Sequence, residues 1–566
     1  MILRVLTRPL ALLGRRRAAG PSGWIELVIE GEVRELPPAR GSLLKRLMRS
    51  RDESPKVILS ALDRFAREVV SDPRTKGVLV RLGPFGGGWA SAMRIHRALR
   101  SVKASGRHVV VHITQVAGNK EYAVATAGSR ISCVPTGILA AVGTSANTLF
   151  LGEALARVGV KVEVASAGRY KSAPDALTKS ARTEPDREQA EALVTAFDGA
   201  LIDVIVEGRK LPIEDAKKGI DSMPLTGAHA ISRGFTDGTA HDEDLPEQIQ
   251  ALDKLEDPPE LVAAGDYLGA RVLPPLLRGP RKHIGIVEVH GAIVDRQTPY
   301  LGMLDAAAVE KSVVSDLRAA LANRRVGAVV LHVNSRGGSV IASDAIWSAV
   351  KRLNAEKPVI ACFADVAASG GYYVACGARA IVASPLTVTG SIGVFGMLPT
   401  WPGITAKLHV HPDAIEHRLH ASMADPWRER TEEERAHAQV EVEGMYHAFI
   451  TLVGQARNKT IAEVDAIAQG RVWTGADAHA RGLVDGLGGI DEALERCRAA
   501  TKDRMGEYPV LIRAKKPHPR PEPPKASTAA LLELLGPSQM VLEALAVRAS
   551  APWASGWVWS PLDSRA

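Results

Sequence analysis

The stretch "VGAVVLHVNSRGGSVIASDAIWSAVKRLNAEKPVIACFADVAASGGYYVA", Val326–Ala375, decides how the fold is read. Val326–Asn334 is a near-continuous apolar run, the mark of a strand buried on both faces. "SRGGS" breaks the run, and Val340–Asn354 then has helical spacing. Val359–Phe363 reads as a second strand. A turn follows, then a helix from about Tyr372 and a strand at Ala380–Ala383. This β-α-β-α order predicts an α/β domain with helices packed on a largely parallel sheet.

The same pattern occurs twice. A shift of 250 residues lays Gly77–Gly143 on Gly327–Gly393, and fourteen of the 67 positions are identical without a gap. Among them are Gly87-Gly88 on Gly337-Gly338, Tyr122 on Tyr372, Pro135 on Pro385 and Gly143 on Gly393. At a shift of 248, "LTGAHAISRGFTDG" (Leu225–Gly238) falls on "WTGADAHARGLVDG" (Trp473–Gly486). Identities at glycine, proline and core positions on one diagonal argue for a duplicated domain. The expected organisation is a basic N-terminal segment and lead-in (1–54), a first repeat (55–245), a connector (246–282), a second repeat (283–500) and a C-terminal part (501–566). That last part opens with the proline-rich "KKPHPRPEPPK" and continues with helical periodicity.

The 566 residues allow two to four domains, and 46% apolar with 24% charged residues is ordinary for a globular chain. The net charge of +8 is partly local, since Arg4, Arg8, Arg15, Arg16 and Arg17 stand in an acid-free start. No basic stripe with interleaved aromatics appears, so nucleic acid is not an expected partner. Four scattered cysteines show no metal spacing and suit a reduced interior. No stretch is apolar and long enough to span a bilayer. "MILRVLTRPLALLGRRR" alternates apolar and basic residues, which fits either a disordered basic start or a segment lying on an anionic membrane surface.

Duplication lets the chain serve as its own control. Around Ser369 the second copy reads Asp365-Val-Ala-Ala-Ser369-Gly370-Gly371-Tyr, and the first reads Gln115-Val-Ala-Gly-Asn119-Lys120-Glu121-Tyr. Ser369 is either a hydroxyl displayed for chemistry or a helix cap. Serine and asparagine are interchangeable as caps, so that exchange decides nothing. Loss of both glycines favours chemistry, because Gly370-Gly371 permits close backbone approach and leaves N–H groups bare at a helix start. An oxyanion site would need two donors. The N–H of Gly370 is one, and the loop Asn334-Ser335-Arg336-Gly337-Gly338 offers another.

A nucleophilic serine also needs a base. His332 sits in a strand, and His409, His411, His417 and His420 lie in a polar stretch, so none stands in a motif. The first copy offers Lys171 in "VEVASAGRYKSAPDALT", and its twin is Leu419. Each half thus keeps one feature that the other has lost, as a single composite site would leave behind. Burial would have to lower the lysine pKa from ~10.4 to about 7–8 to make it a usable base. Ser391 could hold the amine, and its twin is Ala141.

The motifs "NSRGGSV", "DVAASGGYYVA", "LTVTGSIGVFG", "GRYKSA" and "QGRVWTGADAHARGLVDGLG" together resemble the signal peptide peptidase family of membrane-associated serine proteases, in its long double-domain (protease IV) form. The resemblance covers most of residues 55–500. It implies tandem ClpP/crotonase-like α/β domains and a serine endopeptidase with a Ser/Lys dyad. It assigns Ser369 as nucleophile, Lys171 as general base, Ser391 as the residue that positions the lysine, and Gly338 and Gly370 as oxyanion donors. Expected substrates are hydrophobic peptides such as signal-peptide remnants. No metal or organic cofactor is expected. A homo-oligomer, a tetramer, is implied, in association with the cell inner membrane by peripheral contact. The chain departs from the family in having Arg336 where the loop carries proline, and in lacking an adequate N-terminal span. Two rival readings are a crotonase-type acyl-CoA enzyme, which would not need Lys171 opposite Ser369, and a non-catalytic membrane scaffold.

Overall fold

A computed structural model describes residues 19–36, 56–271, 282–296, 307–502, 505–506 and 509–514. They fall into two compact units. The first takes its residues from 19–144 and 195–271, the second from 145–194 and 282–514.

Each unit is built on a sheet with the same strand plan. In the first the order is Gly238–Thr239, Arg130–Cys133, His108–Ile113, Gly77–Phe85, Trp24–Arg34, Val262–Ala263, every neighbouring pair parallel. In the second it is Gly486–Leu487, Ala380–Ala383, Val359–Ala368, Val326–Ser335, His283–His290, Val510–Leu511, again all parallel. The duplication read from identities is therefore a duplication of architecture. Sheets of this kind bury both faces, which is why Val329, Val330, Leu331 and Val333 have no exposed surface and why the strand reads as an unbroken apolar run.

The helix after Val326–Ser335 runs Val340–Glu356. Ser339 caps it by accepting from the Ala342 N–H at 3.2 Å, and Ala342, Ser343, Ile346, Val350 and Leu353 form its buried face. The next strand is longer than its apolar core suggests. It extends from Val359 through Ala368, because Val366–Ala368 gain a new partner, Val388–Gly390, beyond the reach of Ala380–Ala383. The turn that separates it from the helix Gly370–Ala375 is the single residue Ser369.

The units depart from the boundaries expected from sequence. The strand Trp24–Arg34 lies in the supposed lead-in, yet it is an inner strand of the first sheet. Part of the supposed connector also belongs to that unit. Ile249 packs with Trp24, Leu79 and Val110, and buried Tyr267 donates its hydroxyl to the Glu68 carbonyl at 3.1 Å. Past residue 500, Val510–Leu511 adds an edge strand to the second sheet and Ile512 is buried. The proline-rich linker, the C-terminal tail and the basic start lie outside the described residues. Among the described residues, no helix is long and apolar enough to cross a membrane.

The largest departure concerns residues 145–194. They belong to the first repeat by sequence and to the second unit by contact. Their strand Lys161–Ala167 pairs antiparallel with Val394–Thr400 over seven residue pairs, from Val394↔Ala167 to Thr400↔Lys161.

The twin tyrosines test the shared plan. Tyr122 donates its hydroxyl to the Phe235 carbonyl at 2.7 Å, and Tyr372 to the Leu483 carbonyl at 2.8 Å, both fully buried. Replacing either by phenylalanine leaves a buried carbonyl unpaired and should lower stability by about 1–2 kcal/mol. Urea unfolding of Tyr122→Phe and Tyr372→Phe should show a loss of that size in each.

Candidate active site

Ser369 has φ 54° and ψ −120°, a conformation that suits glycine and costs a residue with a side chain about 1–3 kcal/mol. Two backbone bonds hold it there. Its N–H donates to the Gly390 carbonyl and its carbonyl accepts from the Tyr373 N–H, both at 2.9 Å. Ser369 occupies the N-cap position of helix Gly370–Ala375, but its side chain makes no capping bond. The hydroxyl turns instead to Lys171.

Glycines allow the loop at the end of strand Val326–Ser335 to lie against this junction. A Cβ on Gly337 would come 2.5 Å from the Gly370 nitrogen, and one on Gly370 would come 2.5 Å from Ser343 Oγ. Gly338 has φ 152°, and a Cβ there would run into the carbonyl oxygen of Ile293. Ile293 bridges the loop by donating to the Gly337 carbonyl and accepting from the Ser339 N–H, both at 2.9 Å. The bridge uses atoms on either side of Gly338 and leaves that residue's own N–H out of the pairing. The Gly338 nitrogen lies 3.3 Å from the place a Gly370 Cβ would occupy, so the two glycine backbones are immediate neighbours.

Lys171 reaches the junction from the segment 145–194. It follows the strand Lys161–Ala167, whose pairing with Val394–Thr400 carries the chain to within a few residues of Ser391. Gly470 (φ 76°) fits against it, since a Cβ there would lie 2.7 Å from the Lys171 nitrogen. The Tyr170 N–H donates to the Gln469 carbonyl at 2.7 Å. Lys171 is 8% exposed. Its Nζ lies 3.1 Å from Ser369 Oγ and 2.9 Å from both the hydroxyl and the carbonyl oxygen of Ser391. The Phe395 ring centre stands 5.9 Å away. Burial lowers the amine's pKa from 10.5 to about 7. Ser391 has φ 50° and is fixed by its N–H bond to the Arg471 carbonyl at 2.7 Å.

The structure thus brings both Ser369 and Ser391 into contact with Lys171 and sets the backbones of Gly338 and Gly370 side by side next to Ser369. A buried amine with a lowered pKa at this distance can take a proton from the hydroxyl, and backbone N–H groups beside the serine can hold a developing oxyanion. Among the described residues, no group of histidine, cysteine or acidic side chains is arranged to hold a metal ion. His332 is buried in its strand, His409, His411 and His417 are exposed, and His420 stacks on His437.

The corresponding place in the first unit is filled by its own side chains. Asn119, the twin of Ser369, donates to the Gly143 carbonyl at 2.6 Å and accepts from the Gly143 N–H at 3.2 Å. Lys120, the twin of Gly370, donates to the Gly87 carbonyl at 2.6 Å.

Sequence reasoning missed the residues that seat the lysine, chiefly Gly470 and Gln189. Gly470 has Ser222 as its twin at the 248 shift, another glycine kept in one half only, and that asymmetry could have marked it. The same shift lays Gln189 on His437, an exchange that by itself names no role.

The model of peptidase family S49 matches residues 101–256 and 351–503, and a Clp protease model matches 289–385. The chain is 28% identical over 449 residues to "Serine protease SPPA, chloroplastic" of Arabidopsis thaliana, covering 79% of this chain and 66% of that one. It is 30% identical over 453 residues to "Protease 4" of Salmonella typhi, covering 77% and 71%. It is 28% identical over 456 residues to "Protease 4" of Haemophilus influenzae, covering 78% and 72%. The matched stretch therefore spans about two thirds of the length of these relatives. The two tandem α/β units are ClpP/crotonase-like, and with the family model matched in both, the chain belongs to peptidase family S49, a serine peptidase.

Proposed function

We propose that this chain is an endopeptidase with a Ser369–Lys171 dyad. The observation that carries the reading is the buried amine 3.1 Å from the hydroxyl. In the proposed cycle, neutral Lys171 Nζ accepts the Ser369 Oγ proton while Oγ bonds to the scissile carbonyl carbon. The N–H groups of Gly338 and Gly370 hold the resulting oxyanion. The Lys171 ammonium then gives its proton to the leaving amine as the C–N bond breaks. Water, deprotonated by the same amine, attacks the acyl-enzyme and returns Ser369. Ser391 keeps Nζ aimed at Oγ throughout.

Substrates in this reading are hydrophobic peptides, such as signal-peptide remnants. An apolar chain keeps the cleft dry and therefore keeps Lys171 in its low-pKa state. Exposed aliphatic side chains next to the proposed oxyanion loop support this, notably Ile341, 77% exposed at the start of helix Val340–Glu356. The same reading holds the enzyme at the inner membrane by peripheral contact through its basic start.

Assembly into a homo-oligomer, a tetramer, completes the proposal. Its support is the segment around Leu419, the twin of the Lys171 segment. Ile415 (89% exposed) and Leu419 (69%) are held out in water there, as surface for a second copy of this chain. Light scattering should find an oligomer for the wild type and a smaller species for Ile415→Glu/Leu419→Glu. A monomeric wild type would contradict the proposal.

Ser369→Ala and Lys171→Ala should each abolish cleavage of casein or a signal peptide, and a serine-reactive phosphonate should label Ser369 only when Lys171 is present. In the wild type kcat/KM should rise with pH through about 7, the range in which burial places loss of the Lys171 proton. Full proteolysis by both variants would sink the dyad. Acyl-CoA turnover surviving both would favour the crotonase-type rival.

A further inference from the structure

Gln189 belongs to the helix Glu184–Arg209 and is 2% exposed. Its amide nitrogen reaches the Tyr170 carbonyl at 3.2 Å and Ser172 Oγ at 2.8 Å, the residues on either side of Lys171. Its side-chain oxygen accepts from the Val472 N–H at 3.3 Å. Val472 directly follows Arg471, whose carbonyl fixes Ser391. A single buried amide therefore ties both flanks of the lysine to the strand that seats its serine partner. An amide this deeply buried keeps its place only because its polar ends are paired.

The second repeat provides a comparison. At the 248 shift Lys171, Ser172 and Gln189 become Leu419, His420 and His437. His420 and His437 still meet, with stacked rings 5.3 Å apart. The contact between helix and loop is thus common to both repeats. The hydrogen-bonding amide is present only where there is a lysine to aim.

We infer that Gln189 is a positioning residue for the general base, fixing the Lys171 loop so that Nζ stays within reach of Ser369 Oγ and away from water. The inference rests on the Ser369–Lys171 reading above. The charged groups sharing the cleft with Lys171 are Asp175, Arg182 and Asp186. Asp186 pairs with Arg182 and accepts from Ser172 Oγ at 2.7 Å, and Asp175 accepts from Thr183 Oγ1 at 3.2 Å. On the Ser391 side Arg471 pairs with Glu188, and the uncharged Phe395 ring faces the amine. Gln189 Nε2 also donates to Asp186 Oδ1 at 3.3 Å, but Arg182 pairs with that carboxylate without it, so loosening the loop changes mainly the access of water to the amine. Water stabilises the ammonium form, so the amine's pKa rises and its neutral fraction at pH 7 falls.

The test is the pH profile of Gln189→Leu, which keeps the volume and removes the polar ends. At pH 7 kcat/KM should fall about tenfold or more with KM little changed, as expected for a misaimed catalytic group. The rising limb should move about one pH unit alkaline, so that the deficit shrinks by pH 9.5. A loss of equal size at every pH, or no loss, would overturn the inference. Ser172→Ala removes the Gln189 bond at that flank together with the hydroxyl's own bond to Asp186, and should shift the limb in the same direction by less. It decides the matter should Gln189→Leu fail to fold by circular dichroism. Lys171→Ala, assayed alongside, separates the two claims. If it stays active, the dyad itself is wrong. If it is inactive while neither Gln189→Leu nor Ser172→Ala moves the limb, only the role of Gln189 falls.

Discussion

The structure depends on keeping one amine out of water. Among the described residues Lys171 has no carboxylate partner to compensate its burial, and desolvation lowers its pKa. An ammonium in that position would be costly, so the surroundings favour the neutral form that can accept a proton. The hydroxyl and carbonyl of Ser391 satisfy the amine's hydrogens, and Ser369 lies on its remaining side. The backbone is strained where these partners meet it. Ser369 and Ser391 both have positive φ, a state that neighbouring structure must impose. The rigid ends of strands Val359–Ala368 and Val388–Gly390 impose it, because each serine directly follows one of them.

Duplication explains how such a site could be assembled. Each repeat carries a strand-ending loop with glycines, and residues 145–194 of the first repeat pack within the second unit. There this segment of the first repeat lies against the second repeat's loop, and the lysine meets the serine. The first unit retains the plan of the sheet but fills its own version of the loop with side chains, Asn119 bonding to Gly143 and Lys120 to the Gly87 carbonyl. The two halves have specialised by opposite losses on one fold.

Strands buried on both faces were the most legible elements, because only His332 interrupts the apolar run Val326–Val333 and nothing polar interrupts Val359–Phe363. Trp24–Arg34 was not legible. It carries Glu26, Glu30 and Glu32, and only the structure shows Glu26 paired with Arg81 across the sheet. The extension of the strand to Ala368 was hidden because it depends on a partner more than twenty residues further on. The meeting of Lys171 and Ser369 could be inferred from complementary loss between the copies. The ribbon that produces it could not, since the alternation in Lys161–Ala167 marks a strand but does not name Val394–Thr400 as its partner. Gln189 was out of reach for a related reason, because its value lies in three partners that are distant in the chain or turned toward it only by folding.

The most direct measurement is an NMR titration of the wild-type protein labelled with 13Cε-lysine, with the Lys171 signal assigned by its loss in Lys171→Met. The account predicts one lysine with a midpoint near 7, as burial in this cleft dictates. A Lys171 midpoint close to the ordinary 10.5 would contradict it, since the amine would then be solvated, charged and unable to act on Ser369.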